Sequence, residues 1–165
     1  MKVSICFPYY NRKSLLFNTL KSIKNSHYAN STEIIIVDDV SDDDHHVENI
    51  NDLFPDLDIV YYRFSSQEKK EWKCPVFPLN KGIALATGDI VIQQCVECFH
   101  KGDIIKDAIE NLSFNEYRVY SCYSLTKNDT NHLLLDPNYT PYLNPSGNWE
   151  DMWVKGGWYE HPQRS

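Results

Sequence analysis

The residues best placed to do chemistry in this chain are polar and acidic groups that follow short apolar runs. Glu33-Ile34-Ile35-Ile36-Val37 runs into Asp38-Asp39-Val40-Ser41-Asp42, and Val3-Ser4-Ile5-Cys6-Phe7 runs into Pro8-Tyr9-Tyr10-Asn11-Arg12. In an open α/β sheet, ligands bind in the crevice outside the carboxyl ends of parallel strands, so side chains just past those ends can reach a bound molecule. The chain therefore points Asp38 and Asp39 at a ligand site; the alternative is a solvated acidic loop. No Gly-rich dinucleotide turn and no phosphate loop ending in Lys and Ser or Thr follows the first run. In their place stand Tyr9 and Tyr10, whose rings can lie along a base, or else simply pack in a strand-to-helix loop.

Three further clusters carry possible chemistry. Cys95-x-x-Cys98 with His100 has the residue types of a redox or zinc site, but a thioredoxin-like pair should open a helix and a structural zinc needs four ligands where three are local. Asp42-Asp43-Asp44-His45-His46 could chelate a metal, or could be a helix start with acids near the positive end of its dipole. Trp149-Glu150-Asp151-Met152-Trp153 places an acidic pair beside rings that can stack on sugar faces, which makes Asp151 a candidate general base.

The elements that must position these groups alternate between strand and helix from residue 2 to about residue 124. Leu15, Leu16, Thr19, Leu20 and Ile23 recur at helical spacing, so the first crossover is an amphipathic helix joining two parallel strands. Residues 47–54 read as a short helix stopped by Pro55, 59–64 as a third strand, and 65–79 as polar loop containing Pro75 and Pro78. Residues 80–88 read as a helix capped by Asn80, closely packed through its small residues, and stopped by Gly88 in a left-handed backbone. A buried strand over 89–93, an amphipathic helix over 103–112 and a strand over 118–125 follow. From about 126 the periodicity fades, and Asn, Pro, Tyr and Trp suggest loop that packs by its aromatics. The expected division is an α/β domain over 1–125 and an irregular, aromatic-rich tail over 126–165.

With these motifs in order, the chain resembles the family 2 glycosyltransferases of the GT-A fold. The resemblance rests on residues 3–12, on residues 33–42 in the place of Glu-(apolar)-Val-Asp-Asp-x-Ser-x-Asp, and on Asn80-x-Gly82 with Ala86-x-Gly88-Asp89 before a strand. It covers about residues 2–112 and implies a Rossmann-like, mostly parallel sheet with helices on both faces. It also implies a nucleotide-diphospho-sugar donor, a UDP-sugar first, with transfer to a saccharide or other hydroxyl acceptor, inverting and metal-assisted. By the same likeness Asp39 would hold the base or ribose, Asp38 would support it, and Pro8, Tyr9, Tyr10, Asn11, Asn80 and Gly82 would belong to the nucleotide-sugar site. The family's Asp-x-Asp metal motif falls on Cys95-Val96-Glu97, so Glu97 keeps a carboxylate for Mn²⁺ or Mg²⁺ while Cys95 is no hard oxygen ligand. Some relatives carry a comparable Gln-x-x-Glu-Cys-x-His stretch, which suits residues 94–100.

Bulk properties narrow the class further. The 165 residues, 42% hydrophobic and 13% aromatic, suffice for one sizeable core. A formal charge of −7 argues against a protein that grips nucleic acid by neutralising phosphates. Five cysteines at irregular spacing point to reduced thiols rather than a disulfide framework. No apolar run approaches the roughly 20 residues that span a bilayer, and no signal-peptide core follows Met1, so the expectation is a cytoplasmic chain without a transmembrane segment. Family members usually continue well beyond this length, so the chain reads as a truncated form, a short paralogue or a fragment. A donor-binding module without turnover is the competing function, and a plain α/β scaffold the third.

Overall fold

The computed structural model describes residues 1–69, 74–120, 125–136 and 139. The chain divides into two compact units, residues 1–113 and 114–165. In the first, β1 (Val3–Tyr9), β2 (Thr32–Asp38), β3 (Asp58–Arg63) and β4 (Ile90–Gln93) form a four-stranded sheet in the order β3-β2-β1-β4. Every pairing is parallel. β1 and β2 are buried almost throughout, as expected of apolar runs at the centre of a parallel sheet covered on both faces.

The two faces divide the core by the period-two alternation of β1. Val3, Ile5, Phe7 and Tyr9 join Ile34 and Ile36 on one face, where they pack with Leu16, Leu20 and Ile23 of α1 (Lys13–Lys24) and Ile105 of α4 (Ile104–Asn111). On the other face Cys6, Ile35 and Val37 meet Leu79 and Ile83 of α3 (Val76–Leu85). A one-turn helix that falls between α1 and α3 in the chain, α2 (Ile50–Leu53), adds Ile50 to the larger core. The helix expected over 103–112 is α4, and Asp103 caps it by accepting from Lys106 N at 3.0 Å.

α3 departs from expectation at its start. It begins at Val76, inside the stretch read as polar loop, and Asn80 lies in its middle rather than at its cap. Pro78 occupies the first turn, where the missing N–H would have had no intrahelical partner, so proline is tolerated there. Gly88 is also explained differently: its φ is not positive, and what demands glycine is space. A Cβ there would stand 2.6 Å from Ser4 Oγ and 2.7 Å from Ser4 N, so the chain entering β4 crosses directly over β1. Gly82 seats α3 on the sheet, since a Cβ would lie 3.2 Å from Cys6 Cβ. β4 is less covered than expected, with Ile90 buried and Val91 exposed.

The amino end of the sheet is fastened by a buried carboxylate. Glu33 accepts from Lys2 Nζ (2.6 Å), Thr87 N (2.6 Å), Thr87 Oγ1 (2.8 Å) and the Ser4 hydroxyl. Burial alone would raise its pKa, but these donors outweigh burial and bring it down to about 2.

In the second unit, α5 (Lys127–Leu135) occupies the start of the stretch read as loop. Thr126 accepts from Asp129 N at 3.0 Å and donates its hydroxyl to the Asp129 carboxylate, so a side-chain N-cap marks the helix start where hydrophobic periodicity does not. Tyr139 donates to Asp129 Oδ1 at 2.8 Å. Of the strand expected over 118–125, residues 118–120 are not in a strand, and 121–124 lie outside the described residues.

Candidate functional site at the carboxyl ends of the strands

The strand order reverses direction beside β1: the chain leaves β1 for β2 and β3 on one side, then returns to place β4 on the other. The carboxyl ends of β1 and β4 therefore flank a topological switch point, where a crevice opens in this class of sheet. The β1–β4 ladder ends at Cys6 and Gln93, followed only by Gln94 N donating to Cys6 O at 3.3 Å. The β1–β2 ladder continues three residues further, to Tyr9 opposite Asp38.

Past that point the loops after β1 and β2 are stitched together. Asp39 N donates to Tyr9 O (2.8 Å), Asn11 N to Ser41 Oγ (3.1 Å), Asn11 Nδ2 to Asp42 Oδ2 (2.6 Å) and Asp42 N to Asn11 Oδ1 (2.8 Å). Asn11 has φ 50° and Val40 φ 63°. Asparagine adopts this left-handed backbone readily, whereas a β-branched residue pays for it, so the latch holds Val40 in a strained conformation of the kind that clusters at binding sites.

Asp38 and Asp39 are adjacent but differ in role. Asp38 is fully buried, and its Oδ1 accepts from Ser41 N (2.7 Å) while its Oδ2 accepts from Tyr61 OH (2.5 Å) and Arg63 Nη1 (2.9 Å). Arg63 Nη2 also donates to Ser41 O at 2.9 Å, so Asp38 shapes the loop from within. Burial, reinforced by the Asp38 charge, pushes the Tyr61 hydroxyl well above the usual phenol range. Asp39, which follows Asp38 past the end of β2, is not a solvated loop carboxylate. It is instead 9% exposed and paired with the Lys69 ammonium.

The remaining expected residues fall into distinct positions. Tyr9 is 1% exposed, with its ring in the core and its hydroxyl donating to His45 O at 2.5 Å. Burial, with the Asp38 charge second, pushes that hydroxyl up to about 12. The Tyr9 ring is thus unavailable to a base, while the Tyr10 ring is half exposed beside the latch. Pro8 lies within β1. Asn80 and Gly82 lie on α3, with Gly82 turned to the sheet. Asp151 lies outside the described residues.

The loop after β4 is pinned to α1 and to itself. Thr19 Oγ1 donates to Val96 O (2.7 Å), Gln94 Nε2 to Cys98 O (3.0 Å), and His100 Nε2 meets Gln94 Oε1 (2.7 Å). Burial lowers the His100 pKa to about 4, which keeps the ring neutral. Glu97 stands at the crevice as the ion-pair partner of Arg12, whose Nε lies 3.3 Å from Glu97 Oε1.

A divalent ion fits this donor set poorly. Mg²⁺ and Mn²⁺ favour hard oxygen ligands, and the stretch offers one carboxylate, already paired with a guanidinium, beside a thiol at Cys95. Among the described residues no three His, Cys, Asp or Glu side chains gather as a metal group. The sequence reading did not assign Arg12, Arg63 or Lys69 to the acids they pair with. For Arg63 a signal existed, since alternation along the third strand and its register set it opposite Asp38.

Known structures share this architecture. Crystal structures of S. aureus TarS match with a TM-score of 0.57 and 23% identity over 66% of this chain and 19% of that one. TarS 1–349 in complex with UDP matches with the same score and identity over 66% of this chain and 31% of that one. The mannosyltransferase PcManGT from Pyrobaculum calidifontis, in complex with GDP-Man and Mn²⁺, matches with a TM-score of 0.54 and 24% identity over 67% of this chain and 30% of that one. The chain thus spans under a third of the length of these proteins. No curated protein matches it. The family described as Glycosyl transferase family 2 matches residues 4–138. On that match, which takes in both latched loops and all of the sheet but Val3, the chain belongs to glycosyl transferase family 2.

Proposed function

We propose that this chain forms the donor-binding part of a glycosyltransferase and takes a nucleotide-diphospho-sugar, UDP-linked first, at the carboxyl ends of β1 and β2. The observation that carries the reading is the strained latch between residues 9–11 and 39–42, next to the switch point of a family 2 chain. Asp39 holds the ribose or base edge by accepting hydrogen bonds, with Asp38 fixing the loop beneath it. Tyr10 offers its exposed ring to the base, and Pro8 and Asn11 line the pocket. A UDP-bound TarS and a GDP-Man-bound mannosyltransferase with this fold support a nucleotide-sugar ligand.

Transfer to a saccharide or other hydroxyl acceptor, with inversion, requires a carboxylate to take the acceptor's proton. Asp151 is the residue we assign to that task. Glu97 is the carboxylate an ion brought by the donor would meet. The second reading is donor binding without turnover, which Cys95 in the place of a metal-binding aspartate favours.

Calorimetry with UDP-, GDP-, CDP- and TDP-sugars tests the donor site, and thermal shift supports it, because a ligand bound only by the native state adds about 2.7 kcal/mol at 100 times its dissociation constant. Asp39→Ala should remove most of that binding. Failure of all four nucleotide classes to bind at millimolar concentration rules the reading out. Release of nucleotide only when an acceptor is added distinguishes transfer from binding alone.

A further inference from the structure

The donor's diphosphate needs a counter-charge, since like charges in contact repel far more strongly in a protein crevice than in bulk water. The loops after β2 and β4 bring Asp39 and Glu97 to this end of the sheet, each already paired with a cation, and the protein carries a formal charge of −7. Glu97 is poorly suited to bring an ion there, as its carboxylate is engaged and its neighbour two residues back is a cysteine. The cation already at this place is Arg12.

Arg12 follows the latch residue Asn11, and Glu97 follows β4, so their ion pair bridges the loops leaving the two strands that separate at the switch point. The guanidinium donates Nη1 to Asn11 O at 3.1 Å, and Asn11 is itself tied to Ser41 and Asp42. The stitched loop that shapes the pocket thus also aims the cation. Both side chains of the pair are about half exposed, at 52% and 45%. Exposed pairs of this kind contribute little, whereas guanidinium binds phosphate oxygens through a planar fork of parallel N–H donors. A diphosphate entering the crevice can therefore displace Glu97 from Arg12.

Resting on the donor-site reading, we propose that Arg12, rather than a divalent ion, is the counter-charge for the donor's diphosphate, and that Glu97 competes for the guanidinium until the diphosphate takes its place. Glu97 then weakens donor binding, where a metal ligand would strengthen it. The two roles predict opposite signs for one substitution.

The test titrates UDP and uridine into the 165-residue chain and its Arg12→Ala, Arg12→Lys and Glu97→Gln variants, each in EDTA and in Mn²⁺. The expected result is UDP affinity that EDTA leaves within about twofold, falls about tenfold or more in Arg12→Ala, as for loss of a charge-assisted contact, and partly returns in Arg12→Lys. Uridine affinity and the thermal midpoint should not change in Arg12→Ala, which separates lost charge from lost fold. Glu97→Gln should tighten UDP in EDTA. UDP binding that EDTA abolishes, that Glu97→Gln weakens, or that ignores Arg12→Ala overturns the proposal. If uridine binds and UDP binds no tighter, the pocket stands and the role of Arg12 falls; if neither binds, both readings fall.

Discussion

β2 carries one buried acid next to its start and another at its end, and the two ends teach different things. At the amino end, Glu33 collects Lys2, Ser4 and Thr87 around itself, under a crossing that only glycine at 88 permits. Nothing there is strained at φ, and every donor serves to close the sheet. At the carboxyl end, Asp38 is as well satisfied, but the loop it supports carries Val40 at φ 63° and ends in groups that face outward. A satisfied buried carboxylate is therefore no sign of function by itself. What separates the ends is the strained backbone beyond Asp38, since both ends carry ion pairs: Glu33 with Lys2 at one, Asp39 with Lys69 at the other.

The strongest way to break this comparison is Asp38→Ala. It leaves the Arg63 guanidinium and the Tyr61 hydroxyl facing a partly buried gap, and loss of one partner of such a pair costs about 3–5 kcal/mol. Urea unfolding should show that loss together with loss of nucleotide affinity. A smaller effect is expected at the other end, where Glu33→Gln should cost about 2–3 kcal/mol and leave nucleotide affinity intact. The folded pKa of Glu33, about 2, lies below its ordinary value near 4.5. Its contribution is therefore fully present above the ordinary value and is lost as pH falls toward and through 2. Unfolding curves across that window should be flatter for Glu33→Gln than for the wild type. If both substitutions abolish nucleotide binding equally, the ends do not differ as described.

The smallest effect sharpens the comparison by its sign. Val40→Gly relieves a left-handed backbone that costs a β-branched residue about 1–2 kcal/mol, but frees the unfolded chain. The net should be a gain of up to about 1 kcal/mol in stability with weaker nucleotide binding. Lower stability would show that Val40 is not under strain.

Much of this was legible. The four strands follow from apolar runs, and α1 and α4 from helical spacing, because those elements bury a single continuous face. The boundaries that failed involve residues with two uses: proline marks a turn, yet Pro78 sits in a first helical turn, and glycine marks a helix stop, yet Gly88 answers a close crossing. The place of Tyr9 could have been read, since it continues the inward alternation of Val3, Ile5 and Phe7. The pairing of Arg12 with Glu97 could not, because it depends on β4 lying beside β1, which no local pattern states.

The early end of the β1–β4 ladder has one more consequence, through Pro8. The Cys6 carbonyl turns toward β4 and the Tyr9 carbonyl toward β2, so alternation turns residue 8 toward the side that β4 has vacated. Any other residue there would turn an N–H without a ladder partner toward that side, the kind of group through which a further strand pairs. Proline has no such hydrogen and breaks the template at its first step. The mouth of the crevice is thus guarded against being zipped closed by another polypeptide while staying accessible to a small molecule.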